Sequence, residues 1–334
     1  MVYGIWYLNV TDNRELALSV FVKNFLNDES VSLEPLNGDA SLRRYFRIAK
    51  HNLIAVDSPP DSQKNKEFVA IDKALANVLV KVPAIKAIDF DRGFMVLEDL
   101  GNVTFSMVAV GDKRSAYYQK ALGELLKLPL IPNDVALPLF DEAFMQTEVS
   151  LFEIWMLEKK LQVVLTAKER QQLHEAYRYL FLSIRNMPYI AMHRDFHSRN
   201  LMVMKDDTVA VIDFQDMVRG PFTYDLASLL YDCYVNLEEK LIESLLLEAY
   251  RAYGRQGLIR DLDYKDFVKL VHMVSLQRHI KVLGIFIRLS LRDGKHGYLL
   301  DLPRVIDYTL KECQCDPHFA IISEIIKKYV KGNF

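Results

Sequence analysis

Residues 193–200 read His193-Arg194-Asp195-Phe196-His197-Ser198-Arg199-Asn200, and Asp213 follows thirteen positions after Asn200, inside Ile212-Asp213-Phe214. Residues 201–204 and 209–212 are short apolar runs that read as two strands, joined through Lys205-Asp206-Asp207-Thr208 as a four-residue hairpin loop. If Met204 faces Val209, Asn200 faces Asp213 at the open end of that hairpin, with Cα atoms roughly 4.5–5.5 Å apart. An amide oxygen and a carboxylate then converge on one point. Such a pair suits Mg2+, which prefers hard oxygen ligands and draws only one or two carboxylates from protein. Asp195 lies in the same loop, placed to accept a proton from an acceptor hydroxyl while the metal screens a transferring phosphoryl group. The chemistry expected is phosphoryl transfer, with Asp195 as base and Asn200 and Asp213 as metal ligands.

These residues need a platform. Residues 42–48, 52–57, 84–89 and 94–97 read as strands, and residues 63–80 as a helix, because Phe68, Ile71, Leu75 and Val78 recur at helical spacing after the breaker Pro59-Pro60. Nearly everything after residue 100 is helical in pattern. The expected fold class is α+β and bilobal, similar to protein kinases. A small antiparallel-sheet lobe with one helix spans residues 1–100, and a mainly helical lobe spans 101–334.

In such an arrangement the adenine of ATP bonds to the backbone of the crossing segment Glu98, Asp99 and Leu100. The phosphates lie under the first hairpin, at Gly38, Asp39, Ala40 and Ser41, where glycine permits close approach and exposed N–H groups meet phosphate oxygens. Where protein kinases place Val-Ala-Ile-Lys, this chain has Ile54-Ala55-Val56-Asp57. The cation for the phosphates must then come from elsewhere: Arg43, Arg44 or Arg47 on the preceding strand, or Lys64 or Lys66, with Arg44 the expected contact. Arg44 and Phe46 share one strand face and Arg43, Tyr45 and Arg47 the other. Glu67 matches the kinase helix glutamate only if a cation reaches it, and is otherwise a solvated acid.

Details around the loop narrow the type. His197 stands where protein kinases usually carry lysine, and the loop resembles the His-x-Asp-x-His-x-x-Asn form of the aminoglycoside phosphotransferase and choline kinase superfamily. So does Gly220-Pro221-Phe222-Thr223-Tyr224-Asp225-Leu226-Ala227, and this resemblance implies that Asp225 braces the catalytic loop through backbone hydrogen bonds, with His193 as a further supporting residue; a helix N-terminal acid interacting with the dipole is the alternative for Asp225. The run 38–47, then Val56-Asp57-Ser58-Pro59-Pro60, Leu97-Glu98-Asp99-Leu100-Gly101, residues 211–216, residues 277–286 and Arg292-Asp293-Gly294-Lys295 resemble the N-acetylmuramate/N-acetylglucosamine anomeric kinases of bacterial cell-wall recycling. That resemblance covers about residues 35–310 and implies ATP-dependent phosphorylation of an amino sugar at its anomeric hydroxyl. An anomeric hydroxyl is acidic enough for an ordinary aspartate to accept its proton late in a loose transition state.

On a helical wheel Lys281, Arg288 and Arg292 fall within about 80° of Arg278, opposite a stripe of Leu276, Ile280, Leu283, Ile287 and Leu291. The basic stripe is expected to be a wall of the acceptor cleft, with Arg278, Lys281 and His197 meeting the substrate and Arg278 pairing with the lactyl carboxylate of a muramyl sugar. A solvated face with snorkelling side chains is the alternative. An aminoglycoside or choline-type kinase, or a catalytically dead nucleotide- or partner-binding relative, are the competing functions.

The 334-residue chain has net charge −2, against general nucleic-acid binding. Cys233, Cys313 and Cys315 give neither a disulfide framework nor a four-ligand zinc site. No uncharged run reaches membrane-spanning length, and the apolar start lacks a basic leader. A cytoplasmic enzyme is expected.

Overall fold

The computed structural model describes residues 3–36 and 43–334, with side chains from Asn13 onward. The phosphate-loop candidates Gly38, Asp39, Ala40 and Ser41 lie outside the described residues.

Five short strands, β1 (Leu33–Leu36), β2 (Arg44–Ile48), β3 (Leu53–Asp57), β4 (Ile85–Asp89) and β5 (Phe94–Glu98), form one antiparallel sheet in the order β1-β2-β3-β5-β4. Two helices cover it, where the sequence suggested one. Helix α1 (Tyr3–Leu26) escapes the pattern because Thr11-Asp12-Asn13 interrupt it midway. Its Leu18 and Val22 pack with Phe46, Ala55, Phe94 and Val96 on one sheet face. Helix α2 (Asn65–Asn77) packs Phe68, Ile71 and Leu75 with Ile54, Val56, Met95 and Leu97 on the other. Side-chain alternation thus divides each strand between the two layers, and both faces of β3 and β5 are buried.

After β5 the chain is mostly helical: α3 (Phe105–Val108), α4 (Arg114–Leu125), α5 (Glu142–Leu151), α6 (Ala167–Arg185), α7 (Tyr224–Leu230), α8 (Glu239–Arg255), α9 (Tyr264–Asp293), α10 (Leu302–Glu312) and α11 (Ala320–Ile325). Two small ribbons interrupt it between α6 and α7. Strand β6 (Tyr189–Met192) pairs β9 (Val218–Pro221), and β7 (Leu201–Val203) pairs β8 (Val209–Val211).

Helix α9 is the spine of this part. It is long and apolar enough to cross a membrane, yet 83% of that stretch is buried inside the protein. The Asp263 side chain caps its start by accepting from the Asp266 N–H, 2.8 Å, and Gly294, at φ +68°, ends it. At Gly284 it crosses the junction where α5 continues into a π-helical stretch, Phe152–Lys160, so close that an added Cβ would overlap the Leu151 carbonyl. Glycine is required there by backbone approach. The same crossing seats Glu148 of α5 against Gln277 and Lys281.

The β7–β8 ribbon corrects the expected register. Leu201 faces Val211, Met202 faces Ala210 and Val203 faces Val209, so Asn200 is opposite Ile212, whose N–H donates to the Asn200 carbonyl at 3.0 Å. The loop is three residues long. The Asp207 N–H donates to Met204 O at 3.0 Å, and Asp207 adopts φ +62°, giving a four-residue turn closed by a left-handed residue. Aspartate tolerates that conformation, and this shortens the loop by one residue.

Candidate active site

Asp213 still reaches Asn200, through its own backbone and not through strand pairing. It adopts φ +65° at the end of the ribbon. Asn200 Nδ2 donates to Asp195 O at 3.0 Å and stands 3.5 Å from Asp213 Oδ2, while Gln215 Nε2 donates to Asp213 Oδ1 at 2.6 Å. Among the described residues no cluster of three or more His, Cys, Asp or Glu side chains could hold a metal. One amide and one carboxylate are instead the sparse oxygen set that Mg2+ accepts, its other positions going to phosphate and water.

The loop carrying Asp195 is fixed from beneath. Asp225, at the start of α7, accepts from the backbone N–H of His193 at 2.6 Å and of Arg194 at 2.9 Å. Burial pushes the Asp225 carboxyl up to about 6, against the pull of His193 and these two N–H groups. His193 Nε2 donates to Ile212 O at 2.9 Å, locking the loop to the ribbon. Arg194 sits at φ +77°, and its guanidinium meets Glu148 at 3.0 Å and the Phe144 ring at 4.9 Å. A residue held in the left-handed region against its preference needs such over-determination. Asp232, two residues past the end of α7, accepts from the Ser198 N–H at 2.9 Å.

Asp195 itself is half-buried in a cationic setting. Burial works to raise its carboxyl, but the charges of Lys281, His197, Arg278 and Arg194 outweigh it and hold the group well below the usual carboxylate range. The basic stripe of α9 is therefore split: Arg278 and Lys281 are buried, Arg288 is half-buried and Arg292 is exposed. Lys281 Nζ lies 2.9 Å from Glu148 Oε1, and Arg278 Nη1 lies 3.5 Å from Cys233 Sγ. Burial and these partners compete, and the partners keep both cations charged. His197 is buried edge-on to Tyr234, 5.2 Å between ring centres, and burial lowers its pKa despite Asp232 and Asp195.

Two cavities meet at Asp213. The smaller, about 400 Å3, is lined by Glu98, Asp99 and Leu100 of the crossing segment, with Ile54 and Leu97 above and Met202 and Ile212 below. Its volume and apolar walls suit a flat heterocycle. Arg47 closes its mouth by pairing with Asp99 at 2.6 Å. Glu98 also holds Lys81 at 2.7 Å, and the Leu100 N–H makes no hydrogen bond among the described residues. The larger cavity, about 700 Å3, is lined by Asp195, Asp213, Asp216, Arg43, Lys64 and Arg288, among others. His197, Arg278 and Lys281 do not line it.

Strand alternation sends Arg44 to the other side of the sheet. It pairs with Asp57 at 2.8 Å, Arg14 pairs with the same carboxylate, and Arg44 lines neither cavity. Asp57 lies on that α1 side too, so it is not the position that faces the cleft. Arg43, beside the Phe68 ring at 4.7 Å and 3.0 Å from Ser58 Oγ, does border the larger cavity. Glu67 is exposed, as a solvated acid would be. Sequence reading missed Glu148, whose signal was an acid among the apolar residues Met145, Val149 and Phe152. It also missed the stacking of Phe68 on Phe214, 4.9 Å between ring centres, which ties α2 to the segment after Asp213.

A sheet lobe over a helical lobe, with an aspartate loop and an Asn–Asp pair at the seam, defines a phosphotransferase of the protein-kinase-like class. The chain belongs to the phosphotransferase enzyme family, whose model matches residues 32–261. It is 34% identical over 96% of its length to an N-acetylmuramate/N-acetylglucosamine kinase of Pseudomonas putida, covering 98% of that protein. It is 32% identical over 94% of its length to the protein of the same name from Neisseria meningitidis serogroup B, covering 96% of it. In fold it is similar to an ADP-bound aminoglycoside phosphotransferase (TM-score 0.58, 13% identity, 89% of this chain and 98% of that one). It is also similar to the choline kinase LicA of Streptococcus pneumoniae (TM-score 0.57, 12% identity, 90% of this chain and 99% of that one). The chain is thus an enzyme, a small-molecule kinase that takes its phosphoryl group from a nucleotide.

Proposed function

We propose that this kinase transfers the γ-phosphoryl group of ATP to the anomeric hydroxyl of N-acetylmuramate or N-acetylglucosamine, giving the sugar 1-phosphate. The observation that carries the reading is the position of Asp213, shared by both cavities, with Asp195 on the larger one. A nucleotide seated against Glu98, Asp99 and Leu100 directs its phosphates toward Asp213, and an acceptor hydroxyl in the larger cavity meets Asp195.

Asp195 orients that hydroxyl and accepts its proton as the oxygen–phosphorus bond forms and the β,γ-bridging bond breaks, releasing ADP. A carboxylate held ionised by Lys281 and Arg278 is a weak base. It suits a late proton transfer from an acidic anomeric hydroxyl. Asn200 and Asp213 would hold Mg2+, which when bound screens the charge of the transferring group. Asp225 and His193 keep the loop in register, while Arg43 and Lys64 border the cavity on the sheet side, where phosphate charge accumulates. The free, buried thiols of Cys233 and Cys313 fit a reducing, cytoplasmic setting.

Purified protein given MgATP and either sugar should yield a 1-phosphate visible by phosphorus NMR. Turnover confined to kanamycin or choline, or phosphate on a different hydroxyl, would overturn the proposal.

A further inference from the structure

Arg288 lies on α9 about two turns beyond Lys281 and lines the larger cavity together with Asp195. Its Nε is buried and has no hydrogen-bond partner among the described residues. Asp293, an opposite charge that favours the Arg288 guanidinium, is already held by Arg292 through two bonds of 2.7 and 2.9 Å. Burial and the like charge of Arg292 both disfavour the Arg288 guanidinium, with Asp293 opposing them. A cavity-wall guanidinium whose Nε has no partner among the described residues is a net cost to the folded protein. It becomes favourable once a planar anion enters, because guanidinium and carboxylate pair bidentately.

The other cations of the same helix are not available for this. Lys281 is committed to Glu148, and Arg278 is buried against Cys233 behind the cavity wall. Arg43 and Lys64 approach from the sheet side, toward the nucleotide phosphates.

We infer that Arg288 binds the carboxylate of the acceptor and is the residue by which the site distinguishes an acidic N-acetylated amino sugar from its uncharged counterpart. This rests on the amino-sugar reading above and adds the residue that sets preference within it. Because Arg288 Nε has no hydrogen-bond partner among the described residues, its substitution should leave the fold intact.

The test compares steady-state kinetics of wild type, Arg288→Met and Arg288→Lys on N-acetylmuramate, its methyl ester and N-acetylglucosamine, with thermal melting as the folding control. Arg288→Met should raise KM for N-acetylmuramate about 10- to 100-fold, the scale of a charge-assisted pair, and change N-acetylglucosamine less than about twofold. Arg288→Lys should fall between, because it keeps the charge and loses the fork. The methyl ester should behave alike with wild type and Arg288→Met. Equal losses on acid, ester and neutral sugar, or no loss on the acid, would overturn the inference while leaving the amino-sugar reading standing. A wild type inactive on all three would overturn both.

Discussion

Asp195 is a carboxylate kept ionised by surrounding cations, and the consequences appear first in its pH behaviour. With surrounding cations holding its carboxyl well below the usual carboxylate range, Asp195 as base should impose no acid limb on kcat between pH 5 and 8. Asp195→Asn should lower kcat by about 10²- to 10⁴-fold, the range for removing a positioned general base, while nucleotide binding measured by calorimetry stays within severalfold of wild type. Full activity in that variant would exclude Asp195 as the proton acceptor. The Asn–Asp pair teaches a different lesson. The two residues converge as expected, but through the left-handed backbone of Asp213 and a three-residue loop ending at Asp207, not through direct cross-strand pairing. A sequence gives the identities that meet there. It does not reveal the turn count, because aspartate is compatible with both an ordinary loop position and a left-handed one.

At the scale of elements, α9 does most of the positioning. Its crossing with α5 at Gly284 brings Glu148 to Lys281, Gln277 and Arg194, and that cluster lies behind Asp195. Gly284→Ala places a methyl group against the Leu151 carbonyl and must push the two helices apart. Overpacking of this kind costs about 1–3 kcal/mol, readable as a lowered denaturant midpoint, and kcat should fall as well because Glu148 moves with α5. Unchanged stability and activity would show that the helices part without strain. The basic stripe on α9 was legible from its helical spacing. That Arg278 and Lys281 are buried while Arg292 is exposed was not, since a helix wheel orders side chains around an axis without saying what packs on each side.

Across the whole molecule, buried charge sets the pH range of stability. His279 on α9 is fully buried, 2.9 Å from Glu312 of α10 and 3.0 Å from Tyr231 O. Burial works against its charge, but Glu312 prevails and raises its pKa to about 10. A raised histidine contributes stability that is fully present below its ordinary value of about 6.5 and is lost as pH rises toward 10. The depressed Asp195 acts oppositely, losing its contribution only as pH falls below the ordinary carboxylate range. Melting temperature should therefore decline between about pH 6.5 and 10, and His279→Gln should flatten that slope. The variant should also lose about 3–5 kcal/mol near neutrality, because Glu312 is left buried without its charged partner. A slope unchanged by the substitution would exclude the His279–Glu312 pair as its source.

Local spacing in the chain is enough for the chemistry-bearing loop and the order of strands and helices, through an aspartate loop, alternating strands and a helix after a proline pair, while the family was legible as a resemblance carried by runs such as 38–47 and 277–286. Tertiary structure decided what local spacing cannot carry. It sent Arg44 to Asp57 on the α1 side and left Arg43 at the cavity. It buried Arg278 and Lys281 behind Asp195, and placed Arg288, whose Nε has no partner among the described residues, in the wall of the cavity that Asp195 lines. Which face of a strand or helix looks inward depends on the elements packed against it, and those come from distant parts of the chain.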